Sequence, residues 1–256
     1  MEDKGAKQDA KRSLTSQTGP QAIVVREFEP ADKAEVQRIF SEGLLEMISD
    51  TACRGLIHHP ESILLYTSLT TLCFFITMCW WVIGLLPVVW LCGRYLYSMR
   101  VIHGYLEHAM STDMGDMEKF YMNSSDSCLW VAVLEGKVVG VVAAVSQKKS
   151  GGAVELRRMS VDERFRQCGV GSALGRKVLE FAVARGCSTV VLGTTAYTQA
   201  AHRLYQRLGF QCVQITNGYD TPGARWSLLE RIFYRVRYHH YSIDVKNYKS
   251  ALIKQN

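Results

Sequence analysis

Arg166-Gln167-Cys168-Gly169-Val170-Gly171-Ser172 is the stretch whose residue types and spacing point most directly to chemistry. It follows a strand-like run, Val154 to Val161. It opens an amphipathic run, Ser172 to Ala182, in which Leu174, Val178, Leu179 and Phe181 share the inward side. A strand, a glycine turn and a helix start together make an anion cradle. Glycine lets the backbone approach a ligand closely, and the first helical N–H groups have no internal partners. With the helix dipole added, a pyrophosphate fits there. The spacing differs from the G-x-G-x-x-G of dinucleotide sites, and no Gly-Lys-Ser/Thr follows as in a P-loop. Cys168 lies inside the turn with no base placed for it, so it reads as a backbone donor and not as a nucleophile.

The elements that must position this turn can be read along the chain. Residues 1–21 are polar and read as a disordered tail without a signal peptide. Ala22 to Phe28 reads as a strand. Pro30-Ala31-Asp32 opens a helix, with Asp32 and Glu35 spaced as a capping box and Val36, Ile39, Phe40 and Leu44 at helical intervals. From Ser62 to Gly93 no residue is charged, which meets the length rule for a membrane segment. A single crossing would put the first strand and the glycine turn on opposite sides, yet the run is short for two full spans. A short hairpin or re-entrant insertion, broken near Gly84 and Pro87, reconciles these facts. Arg54 before it, and Arg94 and Arg100 after it, suit two ends that both face the cytosol.

Tyr105 to Met122 reads as a helix. Leu129 to Leu134 and Val138 to Ala144 read as a hairpin about Glu135-Gly136-Lys137. Lys148 to Gly152 is a polar loop, Ser188 to Gly193 a buried strand, and Gln211 to Gln214 a further strand. Leu228, Leu229, Ile232, Phe233 and Val236 keep a helical stripe, and Tyr241 to Val245 reads as a last strand. The units are then a tail (1–21), a first strand and helix (22–60), a membrane-inserted segment (62–93), a core (105–246) and a tail (247–256).

Nearly half the residues are hydrophobic, enough for a sizeable core, and the net charge of +6 suits a polyanionic ligand or a membrane face. No zinc finger, RRM or helix-turn-helix pattern supports nucleic-acid binding. Eight cysteines without a C-x-x-C pair indicate reduced thiols and a cytosolic globular part. The histidines lack metal-ligand spacing, so no metal is expected.

The Arg-x-x-Gly-x-Gly spacing resembles the acetyl-CoA motif of the GNAT acetyltransferases, and Ala201 to Phe210, ending in Tyr-x-x-x-Gly-Phe, resembles a later helix of that superfamily. Beyond the tail, the chain is similar to its membrane-anchored camello-type branch. The matching stretches are Thr51 to Leu56 with His59-Pro60, Thr112 to Asp116, Cys128 to Leu134, Arg158 to Asp162, Leu174 to Val183 and Val190 to Ala196. The resemblance implies an α/β GNAT fold, a mixed and splayed central sheet flanked by helices, with an inserted hydrophobic membrane hairpin. It also implies acetyl-CoA as co-substrate and direct attack by an amine.

That chemistry needs a proton acceptor, an oxyanion donor and an acid for the departing thiolate. By the resemblance, Met159, Ser160 and Val161 match the splayed strand whose backbone N–H groups meet the acetyl oxygen. Arg166, Gln167, Cys168, Gly169, Val170, Gly171 and Ser172 match the pyrophosphate loop. Tyr205 matches the tyrosine that protonates the CoA sulfur, and Glu155 is the base candidate, with His202 a second.

Within the branch the similarity is greatest to aspartate N-acetyltransferases. This implies L-aspartate as acceptor, at endoplasmic reticulum or mitochondrial membranes, with membrane lipid around the anchor. Two carboxylates call for guanidinium groups. Arg158 shares a strand face with Ser160 and is the first candidate, whereas Arg157 points to the opposite face of an ideal strand. Arg54 is the second, with phosphate contact or a lipid-facing charge as its alternative. Two other readings stay open: acetylation of cysteine S-conjugates or protein lysines, and a non-enzymatic membrane protein that keeps a CoA fold. The intact Arg166, Gly169, Gly171 and Tyr205 count against the last.

Overall fold

The computed structural model describes residues 22–147, 152–217, 236–246 and 248. The expectations for 1–21, for most of the 148–152 loop, for the 228–235 stripe and for 249–256 lie outside the described residues. Seven strands form one sheet: Val24–Glu27 (β1), Ser127–Leu134 (β2), Lys137–Gln147 (β3), Ala153–Val161 (β4), Thr189–Thr195 (β5), Gln211–Asn217 (β6) and Arg237–Asp244 (β7). Their order is β1-β2-β3-β4-β5-β7-β6, and every neighbouring pair is antiparallel except β4 and β5. The β2–β3 turn uses Glu135 and Gly136 at φ of 52° and 75°, the two-residue geometry that matches strand twist.

Helices cover both faces, which is why β2 is apolar at nearly every position instead of alternating. On one face Val170–Ala184 (α4) packs Leu174, Val178 and Leu179 against Trp130, Val142 and Leu156. On the other, Lys33–His58 (α1) packs Val36 and Ile39 with Met114 and Tyr121 over Leu129, Val131 and Val141. Asp32 does not cap α1 through its side chain. Its carboxylate accepts from Arg26 at 2.6 and 2.8 Å and from the Glu29 N–H at 3.0 Å, so it closes the preceding 3-10 turn, while Glu35 pairs with Arg38.

Two irregularities distort β4. Parallel pairing with β5 covers only Ala153–Thr189, Val154–Val190 and Glu155–Val191. Towards β3, the register moves from Val141–Ser160 to Ala143–Arg157, one extra residue in β4, and Arg158 stands at φ 54°. This is a β-bulge. Arg157 therefore shares the α1 face with Glu155, as its partner Ala143 does, and Arg158 and Ser160 follow on that same face. The ideal-strand expectation that Arg157 points the other way fails because the bulge resets the alternation. Met159 and Val161 join the α4 face.

Pro60–Thr77 (α2) and Trp81–Ser111 (α3) run antiparallel: Tyr66 stacks on Trp90 at 5.4 Å and Phe74 meets Trp80 at 5.2 Å. The break lies at Met78–Trp80, with Met78 left-handed and its N–H on the Phe74 carbonyl, and not at Gly84 or Pro87. Both of those lie inside α3, where the fixed φ of proline is compatible with helix at the loss of one bond. Leu64, Phe75, Ile76, Trp80, Trp81 and Leu85 are exposed. Among the described residues α3 is long and apolar enough to cross a membrane. Past Gly93 the same helix turns towards the core, burying Arg94, Ser98, Val101, Ile102 and Ala109. It ends at Ser111, where the Thr112 hydroxyl takes the His108 carbonyl, so the helix expected over 105–122 is interrupted before a π turn at Glu118–Met122.

Candidate active site

Beyond Glu155 the two central strands part, leaving the β5-facing edge of β4 open from Leu156 to Val161. Glu155, in the last paired position, stands at the apex of that opening. Its carboxylate accepts from Arg157 at 2.6 Å and remains partly exposed on the α1 face. The Ser160 hydroxyl donates to the Ile39 carbonyl at 3.1 Å, so its side chain anchors α1.

Below the end of β4 lies the glycine turn. Gln167 and Gly169 adopt φ of 66° and 89°, and α4 starts at Val170, whose side chain is buried in the core. The positive φ at 169 is the conformation glycine adopts without strain, and the first N–H groups of α4 that follow it have no partners within the helix. Gly171 has a different role: a Cβ there would stand 3.0 Å from the Leu204 side chain, so its absence lets Gln199–Arg207 (α5) pack on α4. Arg166 donates to the Val161 carbonyl at 3.1 Å and pairs with Glu46 of α1 at 2.7 Å, a partner the local motif did not announce. The side chain of Cys168 is exposed.

Tyr205 reaches β4 from α5. Its ring packs beside Phe210 and Tyr241, and its hydroxyl lies 3.8 Å from the Met159 sulfur. Burial pushes its pKa up to about 12, so the phenol stays protonated at neutral pH. Glu155 thus stands on one face of β4, and the Tyr205 phenol on the other beside Met159. His202 is not placed as a free base: Nδ1 meets the Tyr241 hydroxyl at 2.8 Å and Nε2 the Thr195 carbonyl at 3.0 Å.

Arg158 sits in the bulge, over the rings of Phe40 and Tyr105. Its Nε and Nη2 each donate to Asp113 at 2.8 Å, and Nη1 donates to the Tyr105 hydroxyl at 2.6 Å. The Tyr121 hydroxyl also donates to Asp113. Burial alone would raise the Asp113 pKa, but the hydrogen bonds from Arg158 and Tyr121 outweigh it and hold the carboxyl below its usual value. Arg158 loses to burial in the same way, and Asp113 more than restores its charge. Asp113 lay in a matched stretch of sequence but had no visible partner, because 45 residues separate the two.

Arg54 is not brought to Arg158. Fourteen residues past Phe40 on α1, roughly 21 Å along the axis, its Nη1 lies 3.4 Å from the Tyr197 carbonyl and its Nε 3.4 Å from Asp50. Arg94, read from sequence as a flanking charge, is instead 1% exposed. Its Nε donates to the Ala52 carbonyl at 3.1 Å and Nη2 to that of Thr51 at 3.5 Å. Beside it the Tyr197 hydroxyl and His59 Nε2 are 3.2 Å apart, both side chains buried, and burial pushes Tyr197 up to about 12. The helical spacing of Arg94, Ser98, Val101 and Tyr105 could have marked this inward face. A cleft of about 600 Å³ between α2 and α3, lined by Tyr66, Thr67, Phe74, Pro87 and Trp90 among others, holds no carboxylate, imidazole or cation among its described lining residues.

Residues 98–210 match the model of the acetyltransferase (GNAT) family. N-acetylaspartate synthetase of Homo sapiens is 49% identical over 228 residues, spanning 89% of this chain and 75% of that protein. The Rattus norvegicus N-acetylaspartate synthetase is 48% identical over 235 residues, spanning 91% and 78%. The probable N-acetyltransferase camello of Xenopus tropicalis is 32% identical over 190 residues, spanning 74% and 86%. Among solved structures, an N-acetyltransferase from Staphylococcus aureus Mu50 matches 88% of this chain and 99% of its own, with a TM-score of 0.51 at 15% identity, a likeness of fold alone.

Proposed function

The chain belongs to the GNAT acetyltransferase family and is an acetyl-CoA-dependent N-acetyltransferase, and on that premise we propose that its acceptor is the amine of L-aspartate, giving N-acetylaspartate and CoA. The observation that carries the acceptor is the 49% identity to a synthetase of that name over nearly the whole chain, against 32% to the camello protein.

Acetyl-CoA supplies an acetyl group activated as a thioester, and the residues around the splay fit it. The backbone N–H groups of Arg166 to Ser172 and the first turn of α4 would hold its pyrophosphate. The open edge of β4 over Met159, Ser160 and Val161 presents backbone N–H groups where negative charge develops on the carbonyl oxygen. Glu155 takes the proton of the attacking amine from the α1 face, and Tyr205 gives one to the leaving sulfur from the other. Arg158 remains on the acceptor face with Nη1 on the Tyr105 hydroxyl, while its fork is spent on Asp113. Arg54 lies farther along α1 and is assigned the rim.

The test is CoA release by detergent-solubilised protein with acetyl-CoA and L-aspartate, L-glutamate, S-benzylcysteine or a lysine peptide. Strong preference for aspartate is the expected result, and preference for the conjugate or peptide would overturn the acceptor while keeping the fold.

The apolar surface of α2 and the first half of α3 supports insertion into a bilayer as a hairpin. Thirteen residues from Trp81 to Gly93 rise only about 20 Å, short of a hydrocarbon core of about 30 Å. Both α1 and the far end of α3 pack on the same sheet, so entry and return on one side are favoured, with the active site cytosolic. By resemblance the membrane is that of the endoplasmic reticulum or the mitochondrion. N- and C-terminal tags protected alike from protease in sealed vesicles are expected; unequal protection would exclude the hairpin.

A further inference from the structure

The contacts of α1 trace its path across the splay. Arg38 pairs with Asp162, Ile39 receives the Ser160 hydroxyl, Glu46 meets Arg166, and Arg54 reaches Tyr197, two residues past β5. The second half of α1 therefore lies across the open mouth, from the end of β4 to the end of β5. At the β5 side, α3 delivers Arg94 and Ser98 beneath it. Val101 of the same stripe packs with Ala196, Tyr197 and Val236, and Tyr105, farther on, receives Arg158. One helix face thus borders both sides of the mouth.

Arg94 is nearly fully buried, and among the described residues neither a carboxylate nor any other partner meets its Nη1. One turn later the Ser98 hydroxyl, 0% exposed, has no partner among them either. Two carbonyls near the end of α1 soften the charge but do not neutralise it. Burying an uncompensated guanidinium is costly, and so is leaving a buried donor unmet. Arg54 stands near, at the Tyr197 carbonyl, with Asp50 3.4 Å from its Nε and Glu61 3.9 Å from His59 Nδ1, while Arg237 adds positive charge beside the Tyr197 hydroxyl. The guanidinium groups of Arg54, Arg94 and Arg237 against these two carboxylates leave the cluster net positive, and Arg94 Nη1 and Ser98 Oγ are its unmet donors.

We propose that Arg94 Nη1 and Ser98 Oγ bind a carboxylate of the acceptor, making the end of β5 its anion site. This rests on the acceptor reading above and deepens it. The Arg158–Asp113 pair is neutral as a unit, whereas the Arg94 cluster carries the charge that a dicarboxylate needs. His59 and Tyr197, both buried, border the site.

The test uses the full chain in detergent, with Ser98→Ala, which removes no protein hydrogen bond among the described residues, and Arg94→Met. Ser98→Ala is expected to raise the KM for L-aspartate about tenfold and Arg94→Met to abolish saturation, while acetyl-CoA titrated by calorimetry binds both variants as it binds wild type. L-aspartate should raise the Tm of wild type and of neither variant. If both variants keep the aspartate KM within about twofold, the inference is wrong and Arg94 is only a clamp for α1. If Arg94→Met fails to bind acetyl-CoA, Ser98→Ala decides alone. If the variants lose only co-sedimentation with phosphatidylserine vesicles, the anion is a lipid headgroup and the acceptor assignment is overturned. If wild type turns over S-benzylcysteine and not L-aspartate, the proposed function fails by itself. The same two variants, assayed on that carboxylate-bearing amine, then decide on Arg94.

Discussion

Arg158 and Arg94 both lie under α1, yet the protein treats their charges in opposite ways. Arg158 meets a buried carboxylate through both arms of its fork, and a phenol donates to that carboxylate from behind. Arg94 meets only backbone carbonyls among the described residues and keeps an arm unmatched. Burial by itself therefore says little about what an arginine does. A neutralised fork such as that of Arg158 ties the β4 bulge to Asp113, whereas the unneutralised one of Arg94 leaves the charge on which the proposed anion site rests.

Breaking the pair should show this most strongly. Asp113→Asn leaves the Arg158 charge buried without compensation and is expected to cost about 3–5 kcal/mol of unfolding free energy, read from denaturant melts. Arg94→Met removes a charge that had no countercharge and should cost less. Equal losses would erase the distinction. Tyr205→Phe touches neither arginine; a fall in kcat of at least about 100-fold is expected, with both KM values near wild type. An unchanged kcat would take the phenol out of the chemistry. Tyr121→Phe sharpens the comparison from behind the pair, since losing one bond to a buried carboxylate should cost about 2 kcal/mol in the same melts.

The smallest effect expected is on acid stability. Hydrogen bonds from Arg164 first, against the cost of burial, and then from Arg38 hold the Asp162 carboxyl well below the ordinary range, and Asp113 is also lowered. A depressed folded pKa contributes stability above the unfolded value, about 3.9, and loses it as pH falls through the folded one. Stability should therefore decline below about pH 4, less steeply in Asp162→Asn. Arg94→Met should leave that decline unchanged, because the Arg94 guanidinium donates to backbone carbonyls, which do not titrate in acid.

Much of the fold was legible because its signals are local. Apolar runs marked β2 to β5, Glu135-Gly136 marked a hairpin, and the glycine turn marked the start of α4. Tyr205 took its proposed role from the family resemblance of Tyr-x-x-x-Gly-Phe, and its hydroxyl lies beside Met159 of β4. Signals that failed were those where neighbours override local preference. Pro87 looked like a break but was absorbed into α3, while Met78, with no breaker character, took the left-handed turn.

Residue order alone determined the strand and helix types, the motif for pyrophosphate and the uncharged run, since each follows from periodicity and backbone freedom over a few positions. Only the tertiary structure decided which charges are matched. The one-residue bulge sets which face Arg157 and Arg158 use, Asp113 reaches Arg158 across 45 residues, and the passage of one helix from apolar hairpin to core places Arg94 inside. Electrostatic partnership is a through-space property, and the distances that settle it exist only once the chain has folded.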